Sequence, residues 1–169
     1  MQIIRLEPKD PLWQPLTAHL KASGDARWVL NEENLPIEDS LLFLAAIIDE
    51  QVVGSLTLKK QAILIPASDW AGERDRSLRG PKDEPLDELF VQTFTVEEEQ
   101  RRKGIGRALQ QAGLLHTKLL GCYQMRSWSS LDKKENYQLK LSLGFGFHPA
   151  IQETTSGLKI SGGYFVRVV

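Results

Sequence analysis

Basic side chains surround a Gly-x-Gly near the middle of the chain, and their types and spacing suit the binding of an anion. Three bases at 101–103 precede Gly104 and Gly106, and Arg107 follows. Apolar residues then recur with the spacing of one buried helical stripe, at Ile105, Ala108, Leu109, Ala112, Leu115 and Leu119. The glycines therefore lie at a helix N-terminus, where backbone N–H groups lack intrahelical partners and the macrodipole adds positive charge. The pattern predicts a site for a phosphate-bearing ligand.

Two known phosphate motifs do not fit this turn, and a simpler interpretation stays open. The sequence contains no Gly-x-x-x-x-Gly-Lys-Ser/Thr, which excludes a P-loop. A dinucleotide fingerprint needs a third glycine three residues after the second, and that position is Leu109. The simpler interpretation is a solvated basic turn whose glycines only relieve a tight bend between a strand and a helix.

The composition argues against several classes of function. The chain has 169 residues, 41% of them hydrophobic, which predicts a single globular domain over 1–169. Its formal net charge of −1 gives no overall positive field for nucleic acid or a membrane surface. A single cysteine, Cys122, excludes an internal disulfide, and the histidines are too scattered for a metal site. Without a secretion signal or an apolar run of membrane-spanning length, we expect a cytoplasmic protein.

The elements that must position the basic turn alternate between strand and helix in the second half of the chain. A strand at 87–96 leads into the turn, and a helix at 104–120 follows it. The other expected strands lie at 3–7, in a hairpin over 40–65, at 123–130, 147–154 and 163–169, and the other helices at 10–23 and 132–143. The polar, proline-rich segment 66–85 predicts a long surface loop that contains Trp70. This order predicts an α/β fold with a mixed sheet.

The basic turn resembles a motif of the GNAT superfamily of N-acetyltransferases. The motif is Arg/Gln-x-x-Gly-x-Gly/Ala after a strand that ends in valine. Its matches here are Val96, Arg101, Gly104 and Gly106. One glycine that the family usually has is Arg102 in this chain. Leu-Gly-Phe at 143–145 matches a second family segment, and the order of elements agrees along the whole chain. The resemblance implies a central mixed sheet flanked by about four helices.

The resemblance implies an enzyme that transfers acetyl from acetyl-CoA directly to a primary amine, without a metal. Backbone groups of Phe94, Thr95 and Val96 would pair with the pantetheine arm as an added strand. Backbone N–H groups of residues 102–107 would bind the pyrophosphate. The implied cofactor-binding set is Phe94, Thr95, Val96, Arg101, Arg102, Lys103, Gly104, Ile105, Gly106 and Arg107.

The resemblance also implies a base and an acid, for which Glu88 and Tyr137 are the candidates. An alkylammonium has a pKa of about 10, so a base must take its proton before the amine attacks. Glu88 lies on the strand that leads to the turn, although the family's strand glutamate would fall at Phe90. The family's tyrosine, which protonates the departing thiolate, would fall at Lys140, one turn after Tyr137. Tyr164 on the last strand is a further candidate for the acid.

Two other functions are consistent with the sequence. The displaced tyrosine and the missing strand glutamate fit a non-catalytic acyl-CoA-binding or sensor module. A protein-interaction domain whose basic turn binds an acidic partner is the third hypothesis. The acceptor stays open among small-molecule and peptide amines, including polyamines, amino acids, antibiotics and protein lysines. Homodimers are common in the resembled family, but the sequence identifies no interface.

Overall fold

The structure, a computed structural model, describes residues 1–67, 74–154 and 156–169. Its strands are β1 (Gln2–Leu6), β2 (Leu41–Ile48), β3 (Gln51–Ala62), β4 (Leu64–Ile65), β5 (Arg76–Ser77), β6 (Asp87–Val96), β7 (Gln124–Ser130), β8 (Gly146–Glu153) and β9 (Lys159–Val168). Its α-helices are α1 (Trp13–Ala22), α2 (Ile105–Leu119) and α3 (Lys134–Ser142). The described residues thus form three α-helices where about four were expected, and Ala26–Trp28 forms a single 3₁₀ turn after α1.

Seven of the strands form one sheet in the order β1-β2-β3-β6-β7-β9-β8, and β4 and β5 form a separate ribbon. Every neighbouring pair in the large sheet is antiparallel except β6 with β7. The parallel pair arises because the chain returns through α2 to the same end of the sheet before β7 begins. The mixed α/β sheet predicted from the sequence is confirmed.

The β2–β3 hairpin forms the apolar centre of the sheet. Asp49 and Glu50 both have positive φ, 49° and 64°, which is the geometry of a two-residue hairpin turn. Residues 42–47 of β2 are all buried because helices cover both faces of the sheet at this point. Phe43 packs in the cluster that contains α1, whereas Leu44 packs in the cluster that contains α2.

β6 and β7 pair over a short stretch and then diverge. Their parallel register consists of the pairs Glu88–Gln124, Leu89–Met125 and Phe90–Arg126. Beyond Phe90, β6 still pairs with β3 as far as Val96, and β7 still pairs with β9 as far as Ser130. A wedge-shaped opening therefore separates residues 91–96 of β6 from residues 127–130 of β7. We call this opening the strand gap, with its apex at Phe90 and its mouth at Val96.

A β-bulge bends β6 along the strand gap. Leu58 of β3 pairs with Val91, and Thr57 pairs with Thr93, so Gln92 is the extra residue. A bulge of this kind bends its strand and increases the local twist. The bend therefore helps β6 to diverge from β7 while it keeps its pairing with β3.

Two segments differ from the sequence predictions. The first helix begins at Trp13 rather than at residue 10, because the Asp10 carboxylate accepts a hydrogen bond from the Glu7 N–H at 2.7 Å and caps no helix. Part of the predicted loop 66–85, including Trp70, lies outside the described residues. In its described part, Arg76–Ser77 forms β5 and pairs with β4, so the segment contains a short ribbon.

Candidate functional site

The turn between β6 and α2 has a backbone conformation suited to anions. Arg102 and Gly104 have positive φ, 63° and 85°, whereas Lys103 between them does not. Gly104 is also the N-cap residue of α2. Turns that combine left-handed and ordinary residues gather successive N–H groups into one concavity. Position 102 is where the resembled motif has a glycine, and the positive φ of Arg102 explains why a glycine fits there.

The backbone donors of this turn form a run without partners. Before the run, Gln100 and Arg101 donate to the carbonyls three residues before them, and after it Ala108 donates to the Gly104 carbonyl at 3.0 Å. The N–H groups of residues 102–107 have no hydrogen-bond partner within the described chain. Unpaired N–H groups at the positive end of a helix favour a bound anion.

The basic side chains of the turn are exposed and surround these free N–H groups. The Arg101 Nε donates to the last carbonyl of β6 at 3.1 Å, and the Lys103 Nζ donates to the Gln100 side chain at 3.0 Å. The Arg107 Nη2 donates to the Ser142 Oγ at 2.9 Å. These hydrogen bonds hold the side chains of Arg101, Lys103 and Arg107 at the edge of the turn. There they add positive charge without forming hydrogen bonds to the backbone N–H groups.

The two glycines of the motif are needed for different reasons. An added Cβ at Gly104 would meet no atom of the described residues within 4 Å, so the reason that the structure gives for glycine there is the positive φ. An added Cβ at Gly106 would lie 3.1 Å from the Phe94 Cζ and 3.4 Å from the Leu139 Cδ2. Helix α2 therefore packs closely on both β6 and α3 at Gly106, which fixes the turn at the mouth of the strand gap.

The edge of β6 that faces the strand gap carries unpaired backbone groups. In an antiparallel pair, every second residue turns its N–H and C=O away from the partner strand. Because β3 pairs with one edge, residues 91–96 present the other edge to the gap, where no strand of the described chain lies. The Phe94 ring packs on α2, and the Thr95 hydroxyl donates to the Asp25 carboxylate. An extended ligand with amide groups could add to this edge as a further strand.

Glu88 lies two residues before the apex of the strand gap, where β6 still pairs with β7, and is fully buried. Its carboxylate accepts hydrogen bonds from the side chains of Gln61 and Gln124 at 2.9 and 2.8 Å. Arg126 adds a bidentate ion pair, with its Nη2 at 2.6 Å from Oε1 and its Nε at 2.9 Å from Oε2. These donors occupy the lone pairs of the carboxylate. Glu88 is thus one half of a buried ion pair, and its predicted role as a base stays a prediction.

Arg126 is held between two aromatic rings beside Glu88. Its guanidinium carbon lies 5.1 Å from the centroid of Phe90 and 5.0 Å from that of Tyr164. The Tyr164 hydroxyl is 3.4 Å from the Gln152 Nε2. The structure therefore brings Tyr164, the further candidate for the acid, into contact with the ion pair of Glu88.

Tyr137 lies on α3 beside the open end of β7. Its hydroxyl donates to the Ser129 carbonyl at 3.1 Å, and its ring packs on Phe147 and Phe165 with centroids 5.2 and 4.8 Å away. Burial raises the pKa of the Tyr137 hydroxyl. The residue is therefore a packed aromatic whose proton is engaged, and its predicted role as an acid stays a prediction.

Glu88 and Tyr137 reach the strand gap from opposite faces of the sheet. Met125 and Phe165 turn toward α2 and α3, where Tyr137 packs on the Phe165 ring. Glu88 and Arg126 are each one residue out of phase with that face and turn to the other side. The structure thus brings the two predicted catalytic residues to one region without contact between them, and the gap connects the two faces.

Lys140 on α3 is a candidate to which the sequence analysis gave no role. Its side chain is 1% exposed, and its Nζ donates to the Gln110 Oε1 at 3.3 Å. The rings of Phe145 and Phe165 lie 5.0 and 6.0 Å from Nζ. Burial lowers the pKa of Lys140 to about 7. The sequence signal that could identify Lys140 as a candidate is its spacing of three residues from Tyr137. Residues 137 and 140 share a helix face, and that face packs on the core.

Among the described residues, no group of three or more His, Cys, Asp or Glu side chains could hold a metal ion. None of the described helices combines the length and the apolar character that crossing a bilayer requires.

Comparison with known proteins identifies the fold. No family model matches this sequence, and no curated protein matches it. NAA60 from Arabidopsis thaliana in complex with acetyl-CoA is 16% identical, with a TM-score of 0.70 over 99% of this chain and 98% of that one. An acetyltransferase of the GNAT family from Streptococcus pneumoniae is 13% identical, with a TM-score of 0.66 over 99% and 100%. A ribosomal-protein-alanine N-acetyltransferase from Brucella melitensis is 17% identical, with a TM-score of 0.63 over 100% of both chains.

The chain therefore has the fold of the GNAT acetyltransferases, as the resemblance of its basic turn implied. Identities this low establish the fold alone.

Proposed function

We propose that the chain is an N-acetyltransferase that uses acetyl-CoA as acyl donor and transfers acetyl directly to a primary amine. The observation that carries the proposal is the run of unpaired N–H groups at 102–107, beside the mouth of the strand gap. A diphosphate suits these donors because its oxygens accept several N–H bonds and its charge is favoured by the helix N-terminus and the exposed bases. The NAA60 complex with acetyl-CoA, which has the same fold, supports the choice of donor.

The strand gap suits the remainder of the donor. The free edge of residues 91–96 offers backbone groups to the amides of an extended arm. With the diphosphate at the mouth, the thioester would point toward the apex at Phe90. Bound acetyl-CoA supplies an activated acetyl group there, and the residues around the apex orient the reactants and move the protons.

The acceptor amine would enter on the face of the sheet that carries Arg126. Helices α2 and α3 cover the other face, whereas Phe90, Arg126, Trp128 and Tyr164 are only half-buried. An amine on this side would reach the gap beside Glu88. In the reaction it must lose its proton before attack, and the predicted acceptor of that proton is Glu88 or a water held near it.

The acceptor is a small-molecule or peptide amine in this proposal. The structurally similar proteins include a ribosomal-protein-alanine N-acetyltransferase and a NatC complex bound to a Gag peptide, which favours the inclusion of peptides in any acceptor panel. The cytoplasmic location and a homodimer stay predictions.

A binding module that holds acyl-CoA without transferring the acetyl group is the second candidate. The contacts of Glu88 favour it, because a carboxylate bound to Arg126 and two glutamines accepts no further proton without breaking those bonds. The two candidates share the donor site and differ only in turnover.

A calorimetric comparison of two glycine variants tests the donor site. Gly104 and Gly121 flank α2, both have positive φ, and an added Cβ at either position has no described atom within 4 Å. Gly104→Glu and Gly121→Glu therefore introduce the same strain and charge, but only the first puts a carboxylate at the free N–H groups. We expect Gly104→Glu to weaken CoA binding by about tenfold or more, about 1.4 kcal/mol, and Gly121→Glu to leave it unchanged. Equal affinities of the two variants would contradict the proposed site.

Turnover separates the enzyme from the binding module. Release of free CoA from acetyl-CoA is followed with polyamines, amino acids and peptides, and corrected for hydrolysis without acceptor. Amine-dependent release supports the transferase. Tight binding of acetyl-CoA without release for any amine supports the binding module.

A further inference from the structure

A lysine side chain is enclosed between α2, α3 and β9, and no described residue forms an ion pair with it. Lys140 is 1% exposed, and its single hydrogen bond within the described chain goes to the Gln110 Oε1 at 3.3 Å. The Gln110 Nε2 and the Ser127 Oγ are also buried, and neither has a partner among the described residues. Buried amines are rare because they cost desolvation free energy unless they are paired. The burial of Lys140 therefore costs free energy that the packing of its side chain does not recover.

The contacts of α2 locate this amine along the strand gap. Gly106 of α2 packs on Phe94 near the mouth, and Gly113 packs on Met125, which pairs with Leu89 one residue before the apex. Gln110 is four residues after Gly106, about 6 Å along the helix axis, which corresponds to about two strand residues. Gln110 and the Lys140 amine bound to it therefore lie between the two levels, where β6 and β7 diverge.

The packing on β9 gives the same location. Phe165 pairs with Ser127, the first residue of β7 beyond the parallel register. The Lys140 Nζ is 6.0 Å from the centroid of the Phe165 ring. The amine thus lies on the helical side of the apex, opposite the ion pair of Glu88.

We propose that Lys140 is the catalytic acid of the transfer and donates its proton to the sulfur of the acyl donor as the thiol leaves. This inference rests on the proposed function, because it assumes a thioester at the apex of the strand gap.

The proton count of this step is balanced. The acceptor nitrogen forms a bond to the acetyl carbonyl carbon, and the bond between that carbon and sulfur breaks with its electron pair on sulfur. The Lys140 ammonium gives one proton to sulfur and becomes a neutral amine. The acceptor loses two protons from its ammonium form. One of them restores Lys140 through water, and the other goes to solvent.

The surroundings of Lys140 favour release of its proton. From α2 it faces the neutral Gln110, from β9 it faces the ring of Phe165, and from the residue before β8 it faces the ring of Phe145. Tyr137 on its own helix is the titratable group that shares the Phe165 ring with it. Burial alone lowers the pKa of Lys140 to about 7, so near neutral pH the ammonium and the amine are both populated.

The thiol of bound CoA tests this inference without any acceptor. An ammonium and a thiolate stabilise each other, so the thiolate should raise the pKa of Lys140 above its value of about 7 and the ammonium should lower the pKa of the thiol by the same amount, to about one to three units below that of free CoA. It is measured from thiolate absorbance in difference spectra against the complex with desulfo-CoA. Lys140→Met removes the ammonium at similar volume and should remove this shift, while desulfo-CoA binds both proteins equally.

A second variant separates charge from proton donation. Lys140→Arg keeps a positive charge and should keep the thiol pKa low, yet transfer should slow because a guanidinium does not release its proton. If neither variant folds, the wild-type protein alone decides, since a bound thiol that titrates like free CoA would overturn the inference. An unshifted thiol pKa with intact CoA binding contradicts the role of Lys140 but not the proposed function. Absence of CoA binding contradicts both.

Discussion

Glu88 and Lys140 lie on opposite faces of the sheet, one on each side of the apex where β6 and β7 diverge. Glu88 is fixed in an ion pair with Arg126 on the open face, whereas the amine of Lys140, beneath α2 and α3, has no counter-ion in the part of the chain that the structure describes. A ligand in the strand gap would have a fixed charge pair on one side and a titratable amine on the other. This asymmetry leads to specific predictions for each group.

The ion pair of Glu88 should contribute to stability whatever its part in catalysis. Glu88→Gln leaves the half-buried Arg126 guanidinium without the fully buried carboxylate that is its charged partner. We expect the free energy of unfolding in urea to fall by about 3 kcal/mol or more. Asp87→Asn, which removes the exposed ion pair with Lys60, is the control and should cost less than about 1 kcal/mol. Similar losses for the two variants would contradict the role of Glu88 in the ion pair.

The burial of Lys140 should make stability depend on pH. The unfolded chain holds this proton up to pH of about 10, whereas the folded chain loses it near pH of about 7. The unfolded state therefore binds more protons in this window, and the free energy of unfolding rises with pH by up to about 1.4 kcal/mol per unit. The free energy of unfolding is therefore highest, as far as Lys140 determines it, above a pH of about 10. It decreases as the pH falls from about 10 to about 7, because the Lys140 amine is then protonated in the unfolded chain but not in the folded one.

Lys140→Met should remove the rise of the free energy of unfolding with pH. The free energy of unfolding of the variant should therefore exceed that of the wild type by the largest amount below a pH of about 7. Urea unfolding of both proteins across the window measures the difference. Lys134→Met, at an exposed position of the same helix, is the control and should leave the rise intact. A wild-type profile parallel to that of Lys140→Met would show that the amine is not desolvated.

The two candidate acids should respond differently to substitution. If Lys140 donates the proton, Lys140→Met should lower kcat by about 100-fold or more, in the range typical of general acid catalysis. Tyr137→Phe loses one hydrogen bond to the Ser129 carbonyl and should cost about 1 kcal/mol of stability with little change in kcat. The opposite result would support the tyrosine as the acid: a large fall in kcat for Tyr137→Phe, together with a pH dependence of kcat in Lys140→Met that is unchanged from the wild type.

The backbone rather than the side chain of residue 102 should bind the donor. Arg102→Gly relieves the positive φ of 63°, and we expect stability equal to or up to about 1 kcal/mol above that of the wild type. Calorimetry should give a CoA affinity within about threefold of the wild type, because an exposed charge contributes little. Lys103→Gly, at a position without positive φ, should show no such gain in stability. A loss of binding in Arg102→Gly would assign the diphosphate to side-chain charge.

The sequence predicts the scaffold of this site well, because the signals for it are local. The apolar spacing from Ile105 to Leu119 predicts α2, and the glycines and bases before it predict the turn. The predicted buried stripe is wrong at its C-terminal end, because Leu115 and Leu119 are 57% and 69% exposed, whereas Leu114 and Thr117 are buried. The hairpin and the parallel crossover follow from apolar runs and from the alternation of strand and helix. The fold resemblance rests on the same short turn and is confirmed by solved structures that are at most 17% identical.

The catalytic groups were harder to predict because their roles depend on contacts between distant segments. Glu88 meets Arg126 and Gln61 only when β6, β7 and β3 assemble, so the sequence cannot show that its carboxylate is occupied. Likewise, nothing local shows that Lys140 faces Gln110 of α2 rather than solvent. Helical spacing puts Tyr137 and Lys140 on one face but does not tell which of them reaches the gap.

The most direct test of the central claim is the amide spectrum of the protein, recorded by nuclear magnetic resonance during titration with CoA. Because the N–H groups of residues 102–107 are free in the described chain, the account predicts that their signals move strongly on binding. Pantetheine, which lacks the diphosphate, should leave them in place. Binding of CoA that shifts amides elsewhere, and none of those at 102–107, would contradict the account.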